Sequence, residues 1–249
     1  SWTYFANDVG YHMDKVNRNY KYLINVLGAD HTGYTKRITA AVSALSENKV
    51  KLNCKVCQLV KLYKDGKPFK MSKRAGDFIS VRDLLNEVSK DAIRFMMLNR
   101  SNDVELDFDF DKVLEKSKDN PVFYVQYSFA RISSLFKTLN KDLNDKINLD
   151  SKVFSLNENE IKILRKVFEW PQIIETASYN SEPPKIPYYL YELATLFHSY
   201  WSKGNEDQSF KFIENGKIKK TETLAIIVLV ATVKQRGMNI LGVSLPDKM

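Results

Sequence analysis

From residue 121 onward, apolar residues return at every third or fourth position, and the polar breaks between these runs are short. Asn120-Pro121 opens the first run at the helical position where proline's missing N–H costs nothing. Val122, Val125, Phe129, Ile132, Phe136 and Leu139 continue as a core stripe, with Tyr124, Tyr127 and Arg131 beside it. Residues 157–176 predict a second helix carrying Ile161, Leu164, Val167 and Phe168, disturbed near Pro171. Residues 187–201 predict a third and residues 221–235 a fourth, with loops at 180–184 and 204–207. An amphipathic helix cannot bury its stripe alone, so several of them joined by short loops dictate a helical bundle over 121–249.

The preceding residues follow a different rhythm. Tyr22 to Ala29 is a short apolar run that meets Gly28-Ala29-Asp30-His31-Thr32-Gly33, and the helix after it sets Ile38, Ala41, Val42 and Leu45 on one side. Residues 49–63 predict a strand that enters a hairpin at Asp65-Gly66, a pair suited to the positive φ of a two-residue turn. Strand, helix, strand and hairpin fit part of a parallel α/β sheet, which presents ligand loops at the carboxyl ends of its strands. Half of such a sheet leaves a strand edge open. Ser80 and Asp83 are spaced as a capping box for a helix start. Val81, Leu84, Leu85, Val88, Ala92, Phe95 and Met96 keep helical spacing, and residues 81–120 are expected to connect the two halves. Asp91-Ala92-Ile93-Arg94 reads physically as a helix turn with a solvated ion pair. Residues 99–111, where acids alternate with apolar residues, read as an exposed turn or edge without the central glycine of a calcium loop.

Chemistry concentrates between the hairpin and the capped helix, in Phe69-Lys70-Met71-Ser72-Lys73-Arg74-Ala75-Gly76. Lysine is a compact charge on a flexible stem, suited to closing on a polyphosphate and releasing it. A formal net charge of +8, spread along the chain, also favours a polyanionic partner. Cys54 and Cys57 form one C-x-x-C with no second pair, too few ligands for zinc, and they sit in a strand-like run rather than at a helix start. They read as reduced cysteines of a cytosolic protein, and no metal site is expected. No signal peptide is visible, and the longest apolar run, Leu224 to Val233, is too short to cross a bilayer.

The lysine string resembles the KMSKS loop of class I aminoacyl-tRNA synthetases. Together with Tyr4-Phe5-Ala6-Asn7-Asp8-Val9-Gly10-Tyr11-His12 and Gly28-Ala29-Asp30-His31-Thr32-Gly33-Tyr34, it resembles the arginyl-tRNA synthetase family in particular. The 91–94 string resembles the Asp-Ala-Leu-Arg string of the arginyl and cysteinyl families, and the ending 241–249 looks like a natural carboxyl terminus of the arginyl family. The cysteinyl family is the nearest competitor, disfavoured because its zinc-binding cysteines are missing. The resemblance implies an α/β plus all-α architecture: the second half of a Rossmann-like catalytic domain over 1–80, a connector over 81–120 and an anticodon-binding bundle over 121–249.

The resemblance also implies roles. Lys70 and Lys73 would stabilise charge on the pyrophosphate leaving group, with Met71, Ser72, Gly28, Asp30 and His31 at the ATP. Tyr4 and Asp8 would line the arginine pocket, where a carboxylate can accept paired hydrogen bonds from a planar guanidinium. Tyr127, Arg131 and Met249 would face the anticodon. The implied partners are arginine, ATP with Mg2+ and tRNA(Arg), in a cytoplasmic monomer with no membrane association. A histidine-rich upstream ATP element is missing, so the chain is expected to be the carboxyl-terminal half of a longer enzyme and inert alone. A non-catalytic basic tRNA-binding module is the alternative, which needs neither the lysine loop nor the Tyr4/Asp8 pair.

Overall fold

The computed structural model describes residues 3–69, 80–149 and 155–249. Lys70, Met71, Ser72 and Lys73 lie outside the described residues. The chain divides into two compact units, Ser1–Lys61 with Asn102–Asp107, and Leu62–Ser101 with Phe108–Met249.

The first unit contains helix α1 (Tyr4–Asn17), strand β1 (Tyr22–Gly28), a 3-10 turn at Ala29–Tyr34, helix α2 (Thr35–Leu45) and strand β2 (Lys51–Cys57). β1 and β2 pair in parallel from Tyr22↔Lys51 to Gly28↔Cys57, with α2 as the crossover that a parallel pair requires. Leu23 and Leu52 face Ile38 and Val42, one helical turn apart on α2, and Phe5, Val16 and Tyr34 close this core. The alternate residues of β1 point the other way: Tyr22, Ile24 and Val26 are exposed, Val26 by 70%. Cys54 and Cys57 lie in β2 as expected, with free thiols.

The chain passes between the units within strands β3 (Val60–Lys64) and β5 (Leu106–Asp109), which form a three-stranded sheet with strand β4 (Lys67–Pro68) in the order β4-β3-β5. The β3–β4 hairpin turns on Asp65 and Gly66, both with positive φ (52° and 68°), as the Asp-Gly pair predicts. Helix α3 (Val81–Glu87) starts with the full capping box of Ser80 and Asp83. The helical spacing over 81–96 is broken at Val88, where the backbone turns extended, and Ser89 caps a separate helix α4 (Lys90–Leu98). β5 spans Leu106–Asp109 and leads into helix α5 (Phe110–Leu114). This stretch is an edge strand, yet it is not simply an exposed turn. Phe108 and Phe110 are fully buried, and Asp109 caps α5.

The bundle comprises helices α6 (Pro121–Thr138), α7 (Glu158–Phe168), α8 (Trp170–Asn180), α9 (Lys185–Glu206) and α10 (Thr221–Leu241), with a small hairpin of β6 (Ile213–Glu214) and β7 (Lys217–Ile218) before the last. The single helix expected over 157–176 is two, divided at Glu169, because Pro171 can sit only in a first turn. Residues 204–206, expected in a loop, complete α9. α9 packs against α6, α7, α8 and α10, so Leu190, Leu193 and Ala194 are fully buried at the bundle's centre. By length and composition α10 passes the test for a membrane-crossing helix, with a mean hydropathy of 1.5, whereas the expectation rested on its shorter uninterrupted run. Its apolar residues Leu224, Ile227, Val230 and Leu241 are buried inside the bundle, as in a core helix.

Candidate functional site

Two arrangements of polar side chains stand out, one in each unit. In the first, a concavity of about 360 Å3 lies between α1, the outer face of β1 and the 3-10 turn. Asp8, His12, Lys15, Asn25, His31 and Tyr34 bring its polar groups together. The Tyr34 hydroxyl donates to Asp8 Oδ2 at 2.6 Å. Burial, then this hydrogen bond and the carboxylate's charge, push the Tyr34 phenol up to about 12, so it stays a donor at neutral pH. His12 is buried and donates from Nδ1 to the Asp8 carbonyl at 2.7 Å. Its Nε2 accepts from Asn25 Nδ2 at 2.8 Å, and Lys15 Nζ donates to Asn25 Oδ1 at 3.3 Å. This relay fixes the imidazole tautomer and ties Lys15 back to α1's own backbone.

Of the residues expected here, the structure brings Asp8 and His31 into this concavity. Asp30 pairs with His31 at 3.5 Å on an exposed turn. Gly28 ends β1, and a Cβ there would meet only the Asp30 carboxylate, at 2.7 Å, which can swing away. Tyr4 is 91% exposed at the start of α1 and does not line the concavity. His12, Asn25 and Tyr34 went unnoticed in the sequence as a set. The signal was the i, i+4 step from Asp8 to His12, which puts both on one helical face.

In the second unit, α6 and α9 present a face of aromatic rings around one guanidinium. Arg131 lies over the Tyr127 ring, 4.4 Å from its centroid, and 5.5 Å from that of Trp201. Its Nη2 donates to the Tyr127 hydroxyl at 3.2 Å and its Nη1 to His198 Nδ1 at 2.9 Å. His198 is buried, and its Nε2–H donates to the Tyr124 carbonyl at 3.1 Å. Burial holds the imidazole neutral by pushing its pKa down to about 4, against the carbonyl and with help from the positive charges of Arg131 and Lys234. A neutral His198 can accept from Arg131; an imidazolium could not. Tyr127 stacks on both Phe123 and His198, at 5.7 and 5.6 Å. The residues singled out in sequence, Tyr127 and Arg131, therefore sit in direct contact. The remaining members, on α9, lie some seventy positions away and have no sequence signal linking them.

Met249 is half exposed at the end of a segment that is tied down along its length. Arg94 Nε donates to the Leu241 carbonyl at 2.7 Å, and Gln126 Nε2 to the Ser244 carbonyl at 2.9 Å. Ser244 Oγ donates to Asp91 Oδ2, and Ser133 Oγ to Asp247 Oδ1 at 3.2 Å. Gly242 ends α10 at φ +65°, and a Cβ there would lie 2.8 Å from Arg94 Nε. Only glycine meets both demands. Asp91 and Arg94 thus serve as a clasp on the carboxyl-terminal segment rather than as a solvated ion pair.

Residues 125–249 match the family model described as the DALR anticodon binding domain. The whole chain is 59% identical over 249 residues to the arginine–tRNA ligase of Pelagibacter ubique, covering 43% of that protein. It is 48% identical over 254 residues to the arginine–tRNA ligase of Ruegeria pomeroyi, covering 44% of it. The chain therefore spans less than half the length of these curated relatives, matching their carboxyl-terminal part. Among solved structures, a Campylobacter jejuni protein assigned as an arginyl-tRNA synthetase superposes with a TM-score of 0.86 at 32% identity, covering all of this chain and 53% of that one. The Thermus thermophilus arginyl-tRNA synthetase gives 0.64 at 18% identity over 91% of this chain and 41% of its own, a likeness of fold. With the bundle carrying the match, the chain belongs to the DALR anticodon binding domain family.

Proposed function

We propose that this chain is the tRNA-reading and loop-bearing part of an arginine–tRNA ligase, which joins arginine to tRNA(Arg) through arginyl-adenylate at the expense of ATP. The observation that carries this reading is the Arg131 guanidinium held between Tyr127, Trp201 and a neutral His198 on a bundle of the anticodon-binding family. Unpaired RNA bases are bound by stacking on aromatic and guanidinium planes, and phosphates by cations. Tyr127 and Arg131 supply both in one place, and Met249 ends the segment clasped beside α6.

In the first unit, Asp8 is the acceptor for the substrate guanidinium, with Tyr34 fixing one carboxylate oxygen, and Tyr4, exposed at the start of α1 outside the concavity, is assigned to the same substrate. Gly28, Asp30 and His31 follow β1 at its carboxyl end, the place where open α/β sheets bind nucleotides, and are assigned to ATP. Met71 and Ser72 belong to the same nucleotide site, between Lys70 and Lys73. The substrate carboxylate itself attacks the α-phosphate, so no enzyme nucleophile is needed. What the protein supplies is alignment and positive charge at the departing pyrophosphate, accompanied by Mg2+. Lys70 and Lys73 are the cations proposed for that task. The exposed outer face of β1 (Tyr22, Ile24, Val26) supports a further layer of the sheet being supplied by the longer polypeptide, since parallel strands are normally covered on both faces. The complete protein is read as a cytoplasmic monomer.

The test is made on the complete polypeptide. Lys73→Ala is expected to lower arginine-dependent pyrophosphate exchange by ~10² to 10³ while leaving tRNA affinity in place. Near-normal exchange would refute the lysine assignment, and failure of the 249-residue chain to retain tRNA(Arg) in a gel-shift titration would refute the RNA-binding one.

A further inference from the structure

No role assigned so far uses the relay behind Asp8, and that relay holds Asp8 at a second point. At the carboxylate, Oδ2 accepts from the Tyr34 hydroxyl at 2.6 Å, and among the described residues Oδ1 has no donor. At the backbone, the Asp8 carbonyl accepts from Nδ1 of His12, one helical turn on, at 2.7 Å. His12 is fixed in turn from β1, where Asn25 Nδ2 donates to its Nε2 at 2.8 Å. The Lys15 ammonium lies 4.4 Å from the Tyr11 ring centroid and donates to Asn25 Oδ1 at 3.3 Å, which decides the way the carboxamide faces. With the amide nitrogen turned to Nε2, the imidazole proton belongs on Nδ1, against the Asp8 carbonyl. Both holds lead to one stretch of chain. Asn25 stands three residues before Gly28, and Tyr34 closes the 3-10 turn that follows that glycine. The unengaged carboxylate oxygen is therefore referred, through backbone and side chain alike, to the strand whose carboxyl end is assigned to ATP.

We propose that His12 is a positioning residue for arginine recognition, anchored on β1 by Asn25 and acting through the α1 turn that carries Asp8. The proposal rests on the reading of Asp8 as the acceptor for the substrate guanidinium. A guanidinium is a planar fork that pairs with a carboxylate in one defined geometry. Tyr34 alone leaves the carboxylate able to pivot about Oδ2, and a hold on the backbone of the same residue removes that freedom. A displacement of ~1 Å in such a group costs as much as ~10²-fold. His12 has both ring nitrogens engaged within the fold, so it acts on the substrate through Asp8 alone. A purely structural stitch does not require this chemistry. His12 is a buried residue of α1, where an apolar side chain would fill the space without polar partners. A buried polar chain is satisfied in one geometry and penalised in others, which suits it to setting a position.

The test is isothermal titration of the complete polypeptide with arginine, in which stoichiometry reports the folded fraction and the dissociation constant reports the site. His12→Gln keeps an amide near the Nε2 position and removes the Nδ1 donor, whereas His12→Asn keeps a donor near the Nδ1 position. His12→Gln is expected to weaken arginine binding by ~10- to 100-fold with ATP affinity unchanged, and His12→Asn to recover most of that loss. Asn25→Leu removes the anchor from the strand side and is expected to match His12→Gln, so it carries the test if the helix variant folds poorly. Unchanged arginine affinity in both His12→Gln and Asn25→Leu overturns the proposal. So does a lower stoichiometry at an unchanged dissociation constant, which marks a structural role alone. Asp8→Asn separates this proposal from the reading beneath it. If Asp8→Asn abolishes arginine binding while His12→Gln and Asn25→Leu do not weaken it, the guanidinium acceptor stands and the positioning role is wrong. If Asp8→Asn leaves arginine binding intact, both fall together.

Discussion

The two units differ in how far they enclose their polar groups. The first has a small aliphatic centre of Leu23, Ile38, Val42 and Leu52, and its relay of Lys15, Asn25, His12 and Asp8 runs at the rim of an open concavity. The second buries its polar residues outright. Glu160 is fully enclosed, accepting from the Tyr200 hydroxyl at 3.0 Å, Thr223 Oγ1 at 2.5 Å and the Asn157 backbone N–H at 2.8 Å. Lys234 is enclosed too, and its ammonium nitrogen has no hydrogen-bond acceptor among the described residues. Half-buried polar groups can exchange water for a ligand at little cost, whereas fully buried ones must be satisfied within the fold or penalise it. The relay of the first unit is therefore open to water along its rim. In the bundle, buried polar groups govern stability.

The sharpest way to break this comparison is Glu160→Ala, which strips three donors of their acceptor. The bundle should lose about 3 kcal/mol or more in urea unfolding followed by tryptophan fluorescence. Amide exchange at Ile38 and Val42 should be unchanged, and equal loss of protection there would show that the units do not differ as described. Lys234 gives the opposite sign. Burial pushes its pKa down to about 7 from 10.5, so the unfolded chain binds the extra proton between those values and stability rises with pH across that window. Lys234→Met should add about 2 to 4 kcal/mol at pH 7 and flatten the rise between pH 7 and 9, below the range in which the tyrosines ionise. A slope that survives the substitution would place its origin elsewhere. Gly242→Ala should cost about 1 to 2 kcal/mol, from positive φ and the displaced Arg94, visible as a lower thermal midpoint and faster proteolysis after Leu241. The smallest effect belongs to the first unit. Tyr34→Phe removes one half-buried hydrogen bond, worth about 1 kcal/mol, and should weaken arginine binding by the complete polypeptide more than it lowers that unit's stability. A large stability loss with unaltered arginine affinity would assign Tyr34 to the core alone.

Much of this architecture was legible because local rules and tertiary packing agree. Asp65-Gly66, the Ser80/Asp83 box and the stripe from Val122 to Phe136 each specify backbone geometry within a few residues, and the structure follows them. The break at Val88 was harder, because apolar spacing continues through it and only the backbone turns, whereas Pro171 marked a disturbance at the other break without showing two separate helices. Phe108 and Phe110 were misplaced because alternating acids look solvated, whereas alternation in an edge strand buries one side. Asp8 and Arg131 were visible as candidates, but their partners Tyr34 and His198 are 26 and 67 residues distant. Periodicity reports on neighbours along a helix or strand and carries no information about such pairings.

The clasp formed by Asp91 and Arg94 has a kinetic consequence. Its contacts reach 153 and 147 residues ahead in the chain, among the longest sequence separations in the molecule. Closing so wide a span loses much chain entropy before any contact compensates, which slows the step. During synthesis, a ribosome that has finished α9 has made a polypeptide in which α4 still awaits the segment that will lock it. α4 can already rest on α6, with Gln126 reaching Asp91, so the late event is closure of the clasp on the Leu241 carbonyl and Ser244, and until it occurs Arg94 remains hydrated.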